Sequence, residues 1–286
     1  MSDSGRNPDN YCYRHPDRES YVVCQRCGRT ICPECQTQAA VGVHCPECVK
    51  EARQSQPRSA RTGPSFLRRF RGAADAGRPV VTYAIMALCI VIWLLELVPV
   101  IGDVIYSQGA YAPGAPYNYT TSKPWTMLTS AFLHSPGSIF HILFNMYSLF
   151  IFGPMVEHLL GRGRYIALYL IAAFAGSVGV LALSPGSIVV GASGAIFGLL
   201  GAYFVIARKL GGNTMQLVIV IGLNLAIGFF VPNIAWQAHL GGLIGGAAVA
   251  AVYLATRNRS QKKIQVAGVT GIAVALLGIT AFAVTM

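Results

Sequence analysis

Gly-Ala-Ser-Gly-Ala-Ile-Phe-Gly-Leu-Leu-Gly-Ala, residues 191–202, is the stretch whose reading decides the rest of the chain. It sets Ser193 among small residues at the start of an apolar helix. A helix N-terminus has free backbone N–H groups and the positive end of the dipole, and both favour negative charge on a nearby oxygen. Gly191 and Gly194 let a second backbone approach closely. Gly/Ala/Ser runs also serve plain helix packing in membranes. His239, in a second glycine-rich apolar segment, turns the reading towards chemistry. A hydroxyl and an imidazole held in apolar helices suggest a nucleophile and its base.

The surrounding chain is that of a polytopic membrane protein. Of 286 residues, 53% are hydrophobic and 12% charged, about half the usual charged share of ~25%. Seven apolar segments are expected at 80–98, 139–156, 164–183, 193–208, 214–231, 235–255 and 264–286, the second of them short for a span. The net charge of +11 does not imply nucleic-acid binding, because the basic residues sit between spans. Arg68, Arg69, Arg71 and Arg78 precede the first, Arg162 and Arg164 follow the second, Arg208 and Lys209 the fourth, and Arg257, Arg259, Lys262 and Lys263 the sixth. Alternate connections are therefore basic. This places the N-terminus in the cytoplasm and the C-terminus outside, with Ser193 and His239 near the outer face. The polar N-terminus is followed by no early apolar core, so no signal peptide is expected.

Residues 1–50 form a cysteine-rich unit: Cys12-x-x-His15, Cys24-x-x-Cys27, Cys32-x-x-Cys35 and His44-Cys45-x-x-Cys48. Eight ligands suffice for about two tetrahedral zinc ions. A disulfide framework would need an oxidising compartment, which the expected topology denies it. An interleaved pairing is preferred: Cys12, His15, Cys32 and Cys35 on one ion, and Cys24, Cys27, Cys45 and Cys48 on the other, with His44 an alternative to Cys45. The unit resembles a small B-box-type zinc finger, which implies binding or regulation through an unknown partner. Residues 51–79 are a basic linker whose Phe66-Leu-Arg68-Arg69-Phe-Arg71 suits an anionic lipid surface as well as a topology anchor.

The connection at 99–138 is rich in Pro and aromatic residues, among them Pro113, Pro116, Tyr111, Tyr117, Tyr119 and Trp125, and is expected to lie partly in the membrane. It ends at His134, and the next span opens His141-x-x-x-Asn145, two polar residues on one helix face. Glu157 is expected to be structural, near the cytoplasmic face. Glu96 is expected at the interface and Cys89 in inert packing.

Trp125, His134, His141-x-x-x-Asn145, Gly191-Ala-Ser193-Gly194 and Ala238-His239-Leu-Gly-Gly242 together resemble the rhomboid intramembrane serine proteases, over about residues 80–286. The resemblance implies an all-α six-helix core with the serine on its fourth helix and the histidine on its sixth, here followed by a seventh C-terminal helix. It implies that Ser193 attacks a peptide carbonyl while His239 accepts its proton, without an orienting carboxylate and without a catalytic cofactor. It also implies an oxyanion hole of His141, Asn145 and the Ser193 N–H. Phe197, on the Ser193 face of its helix, is placed to stack on His239. Gly242 and Gly246 leave a smooth face for the fourth helix. His134, His141 and Asn145 suggest a route for water. Substrates would be membrane proteins, single-span ones above all. One departure is that Thr126 follows Trp125 where the family has Arg, which removes a partner for Glu157 and bears on how the loop is anchored. Two further readings are a catalytically silent rhomboid-like protein that binds membrane clients, and a transporter. The intact Ser193–His239 pair speaks against the first. The lack of a mid-span carboxylate and of paired repeats speaks against the second.

Overall fold

The computed structural model describes residues 8–38, 42–54, 78–114, 118–231 and 234–285. The lipid-surface motif at 66–71 and the loop residues Pro116 and Tyr117 lie outside them. The chain divides into two compact units, Met1–Arg69 and Phe70–Met286.

In the first unit, β1 (Tyr11–Cys12) pairs antiparallel with β2 (His15–Glu19), and β3 (Thr37–Gln38) with β4 (Val43–His44). Helix α1 (Pro46–Gln54) follows. The core is largely thiol: Cys12, Cys24, Cys32, Cys35, Cys45 and Cys48 are buried around Ile31. A fold this small buries too little apolar surface to stand on packing alone and needs cross-links or a metal.

The second unit is helical. It begins with α2 (Val80–Glu96), and the connection that follows folds into α3 (Ile101–Gly109), α4 (Tyr119–Ser122) and α5 (Thr126–Thr129). Then come α6 (Ile139–Leu160), α7 (Arg162–Leu183), α8 (Ser193–Lys209), α9 (Met215–Phe230), α10 (Trp236–Ala255) and α11 (Lys262–Thr285). Each of the seven expected apolar segments is a helix. Of these, α6, α7, α10 and α11 are long and apolar enough to cross a membrane, and α2 and α9 are shorter apolar helices. Phe140, Phe144 and Phe150 on α6, Leu223 and Phe229 on α9, and Val274 and Phe282 on α11 are exposed. Water would not tolerate so continuous an apolar exterior, whereas a bilayer requires one.

Helix α8 is the central element, with Ala195, Leu199, Leu200 and Ala202 buried. Glycine lets α10 reach it. A Cβ on Gly242 would strike the Gly194 carbonyl, and one on Gly246 the Gly198 carbonyl. Lipid supplies no hydrophobic drive between helices, so backbone approach of this kind is what holds them.

Two expectations are corrected here. Helix α6 is not short: it runs through Pro154 to Leu160. The charge that seemed to end it is used elsewhere. Buried Glu157 accepts the N–H groups of Val81 (3.0 Å) and Thr82 (2.7 Å) and the Thr82 hydroxyl (2.7 Å). The two backbone groups are orphan donors of the first turn of α2, so Glu157 caps another helix and finds its partners without the family arginine. Replacing Glu157 by Leu strands two backbone donors at ~1–3 kcal/mol each, while the Thr82 hydroxyl keeps the Tyr165 hydroxyl within reach at 3.1 Å. Thermal unfolding in detergent should therefore show a marked loss of stability, smaller for Glu157→Gln, which keeps a carbonyl acceptor. An unchanged melting temperature would refute the capping role.

The second correction concerns the loop, which is well anchored without that arginine. Thr126 is fully buried and its hydroxyl donates to Lys123 O (2.6 Å). Lys123 Nζ donates to Ser107 O (2.6 Å) and Thr129 Oγ1 to Gly109 O (2.9 Å). Tyr111 and Met127 bury their side chains beneath it. Cys89 is buried in the apolar core.

Candidate active site

Ser193 is the first residue of α8, so its N–H and those just after it have no intrahelical acceptor. Gly191 has φ +125, a conformation open in practice to glycine alone. A Cβ there would also fall 2.7 Å from His141 Nε2 and 3.8 Å from Ser193 Oγ. The turn before α8 thus brings the His141 ring edge and the Ser193 hydroxyl to one place. It is pinned by Gly191 N–H donating to Ser130 O at 2.9 Å.

His239 stands in the first turn of α10. Its ring lies flat on Phe197, with centroids 4.2 Å apart and planes 7° apart. Phe197 is one helical turn beyond Ser193, so the stack holds the imidazole over the face of α8 that carries the hydroxyl. Contacts of Gly194 with Ala238 and of Gly242 with Gly194 flank it. His239 Nδ1 is buried without a partner among the described residues. Among the described residues no carboxylate bonds the ring, and its packing on Phe197 orients it. No hydrogen bond joins Ser193 to His239 among the described residues; such bonds commonly tighten only when substrate is bound.

His141 is oriented from behind. The Ser135 N–H donates to its Nδ1 at 3.2 Å, which makes Nδ1 the acceptor and leaves the proton of the neutral ring on Nε2. The donor therefore faces Gly191 and Ser193. Asn145 is buried one turn along α6. Its Nδ2 donates to His141 O at 2.8 Å, and its Oδ1 has no partner among the described residues. One amide hydrogen is thus tied to its own helix and one remains.

A cavity of about 20 Å³, lined in part by Ser130, Ser177, Gly191, Ser193, Gly194 and Ala238, opens beside the serine. It has room for a single water. His134 does not line an open water route. It is fully buried, both ring nitrogens lack partners among the described residues, and its ring centroid lies 5.3 Å from that of His141. Trp125 is half exposed and donates to Gln108 O at 2.9 Å, bracing the loop. Glu96, expected at the interface, is buried and accepts the His134 N–H at 3.1 Å. An ionisable residue at the end of an apolar helix was the available signal for it.

The model of the Rhomboid domain matches residues 121–256. Rhomboid protease GluP of Bacillus subtilis (strain 168) is 37% identical over 182 residues, 61% of this chain and 35% of GluP. The rhomboid YdcA of the same organism is 35% identical over 174 residues, 59% of this chain and 85% of YdcA. The chain belongs to the rhomboid family. RHOMBOID-like protein 1 of Arabidopsis thaliana is 37% identical over 138 residues, 46% of this chain and 34% of that protein. The chain thus spans about a third of the length of GluP and of the Arabidopsis relative. Ser193, His239, His141 and Asn145 all fall inside the rhomboid match, whereas the cysteine-rich unit, α2 and α11 fall outside it.

That cysteine-rich unit contains two groups that could hold a metal ion: Cys12, His15, Cys32 and Cys35, and Cys24, Cys27, Cys45 and Cys48. Within each group all ligand atoms lie within 4.8 Å of one another. His15 Nδ1 is 3.4 Å from Cys32 Sγ, 3.5 Å from Cys35 Sγ and 3.8 Å from Cys12 Sγ, and Cys27 and Cys45 Sγ are 3.7 Å apart. A tetrahedron with Zn–S of ~2.3 Å has edges of ~3.8 Å, so the donor sets fit zinc. Cys45, not His44, belongs to the second group. Arg29 Nε lies 3.3 Å from Cys27 Sγ, and that hydrogen bond lowers the Cys27 thiol to about 6, a thiolate ready to ligate.

Proposed function

We propose that this rhomboid is an intramembrane serine protease that cleaves membrane proteins, single-span ones above all, with Ser193 as nucleophile and His239 as base. The observation that carries the reading is the flat stack of His239 on Phe197, one turn from a serine that begins a buried helix. In the reaction Ser193 Oγ forms a bond to the scissile carbonyl carbon as its proton passes to His239. The resulting oxyanion meets the Ser193 N–H and His141 Nε2–H, with Asn145 nearby; one such donor is worth about 2.7–4 kcal/mol. The tetrahedral species then expels the amine, which takes the proton from His239. A water, admitted to the cavity beside Ser193, hydrolyses the acyl-enzyme by the same steps in reverse order of partners.

The alternation of basic connections supports a cytoplasmic N-terminus and an outward-opening site. The fit of the two Cys/His groups supports two structural zinc ions in a separate domain at about residues 1–50, joined by a basic linker to the protease domain at 80–286. Closed sites of this kind leave no position for substrate, so these zinc ions would take no direct part in the Ser193 chemistry.

The test is a fluorophosphonate probe applied to the purified full chain in detergent. Labelling should be stoichiometric, map to Ser193 and vanish in Ser193→Ala. Absence of labelling in a folded chain would favour a catalytically silent rhomboid that binds membrane clients.

A further inference from the structure

We infer that Glu96 is a positioning residue for the oxyanion histidine, acting through the backbone at residues 134–135. Two side chains at the end of α2 grip this short segment. Glu96 Oε2 accepts the His134 N–H at 3.1 Å, and Trp93 Nε1 donates to Ser135 O at 3.4 Å. The next N–H along, that of Ser135, is the one that donates to His141 Nδ1. Turning the 134–135 peptides would withdraw that donor, and the His141 proton would no longer be confined to Nε2. Glu96 therefore touches neither substrate nor His141, yet it holds the group that selects the tautomer of His141.

The surroundings make this arrangement stiff. Glu96 is 6% exposed, so its acceptor bond to the His134 N–H is shielded from competing water. A Cβ on Gly102 would strike the Glu96 carbonyl, so the start of α3 packs directly on the residue that holds the loop. Glu96 Oε1 has no partner among the described residues. A neutral acceptor thus meets the one need the structure shows, which is a carbonyl-like oxygen facing the His134 N–H. Glutamine supplies it, and leucine does not.

The inference rests on His141 being an oxyanion donor, so the experiment reads His141 directly as well as turnover. The full chain is labelled with ¹⁵N-histidine in detergent, and His141→Gln assigns the ring signals. In wild type, His141 should show the Nε2–H tautomer alone. In Glu96→Leu that signature should give way to mixed tautomers, with kcat down ~10-fold or more, short of the full loss of a donor, and KM little changed. Glu96→Gln should restore both. Trp93→Phe, which keeps the ring and removes the indole donor, should shift the signals in the same direction by less, and it serves if Glu96→Leu does not fold. Unchanged His141 signals in Glu96→Leu or, if that variant is lost, in Trp93→Phe would overturn the inference. So would Glu96→Gln behaving like Glu96→Leu. A wild-type chain that shows the tautomer but cleaves nothing refutes the protease reading and leaves the positioning role to stand or fall on the spectra.

Discussion

Replacing Ser193 by Ala is expected to lower kcat on a single-span membrane substrate by on the order of 10⁴–10⁶-fold, and replacing His239 by Ala to do nearly the same. The double variant should be no worse than either alone, because nucleophile and base act as one unit and their losses do not add. Both side chains can be removed without unfolding the protein. Ser193 is the first residue of its helix, where an alanine keeps the turn, and the neighbouring Gly194–Gly242 approach depends on backbone alone. Stability in detergent should therefore be close to wild type for Ser193→Ala. His239→Ala should be somewhat weaker, since Phe197 loses its stacking partner. The measurement is a cleavage time course with reconstituted substrate, alongside thermal unfolding. Residual cleavage at the wild-type rate in Ser193→Ala would dismiss Ser193 as nucleophile.

What the sequence disclosed follows from the solvent. A bilayer demands long apolar runs with internally satisfied backbones, so the seven segments stood out and each is a helix. Gly191 stood out as a small residue beside Ser193 that lets another backbone approach, and the structure adds its φ of +125 and the nearness of the His141 ring. Polar side chains that bind distant backbone were opaque. Glu157 looked like the end of a helix because nothing local shows that its carboxylate reaches Val81 and Thr82, more than seventy residues away. Glu96 looked interfacial for the same reason, its partner being the backbone of His134. The fold of 99–138 was hidden because its hydrogen bonds join side chains to carbonyls across the loop, as Trp125 does to Gln108, and leave no periodicity to read.

The cysteine-rich unit shows a finer version of the same contrast. The sequence reading preferred an interleaved pairing, and the same two groups come together in the structure, but it left His44 an alternative to Cys45 because the two are adjacent in the chain. In the structure His44 ends strand β4 while Cys45 is buried and contributes its sulfur to the second group. Adjacent residues in extended chain point to opposite sides, so only one of the two can face Cys24, Cys27 and Cys48.

Metal removal should have the other large effect. The full chain is expected to carry about two zinc ions, measured by elemental analysis, with Cys32→Ser losing one and Cys32→Ser/Cys45→Ser losing both. Apparent binding free energies of about 10–16 kcal/mol for structural zinc become folding free energy in units of this kind. The strands span two to five residues, and the buried core is mostly the ligands themselves. Stripping the metal should therefore melt the unit, seen as loss of its amide protection in hydrogen exchange and as about seven titratable thiols where the loaded protein shows about none, Cys89 being buried among the helices in both states. Acid should act in the same direction as a chelator, because each bound thiolate must take up a proton to leave the metal. Probe labelling of Ser193 should persist in the doubly substituted chain, since no zinc ligand belongs to the rhomboid match. Disulfides in place of metal, or a stripped unit with undiminished amide protection, would overturn the zinc assignment. A doubly substituted chain that remains folded in its helices yet loses Ser193 labelling would show instead that the two units are functionally coupled.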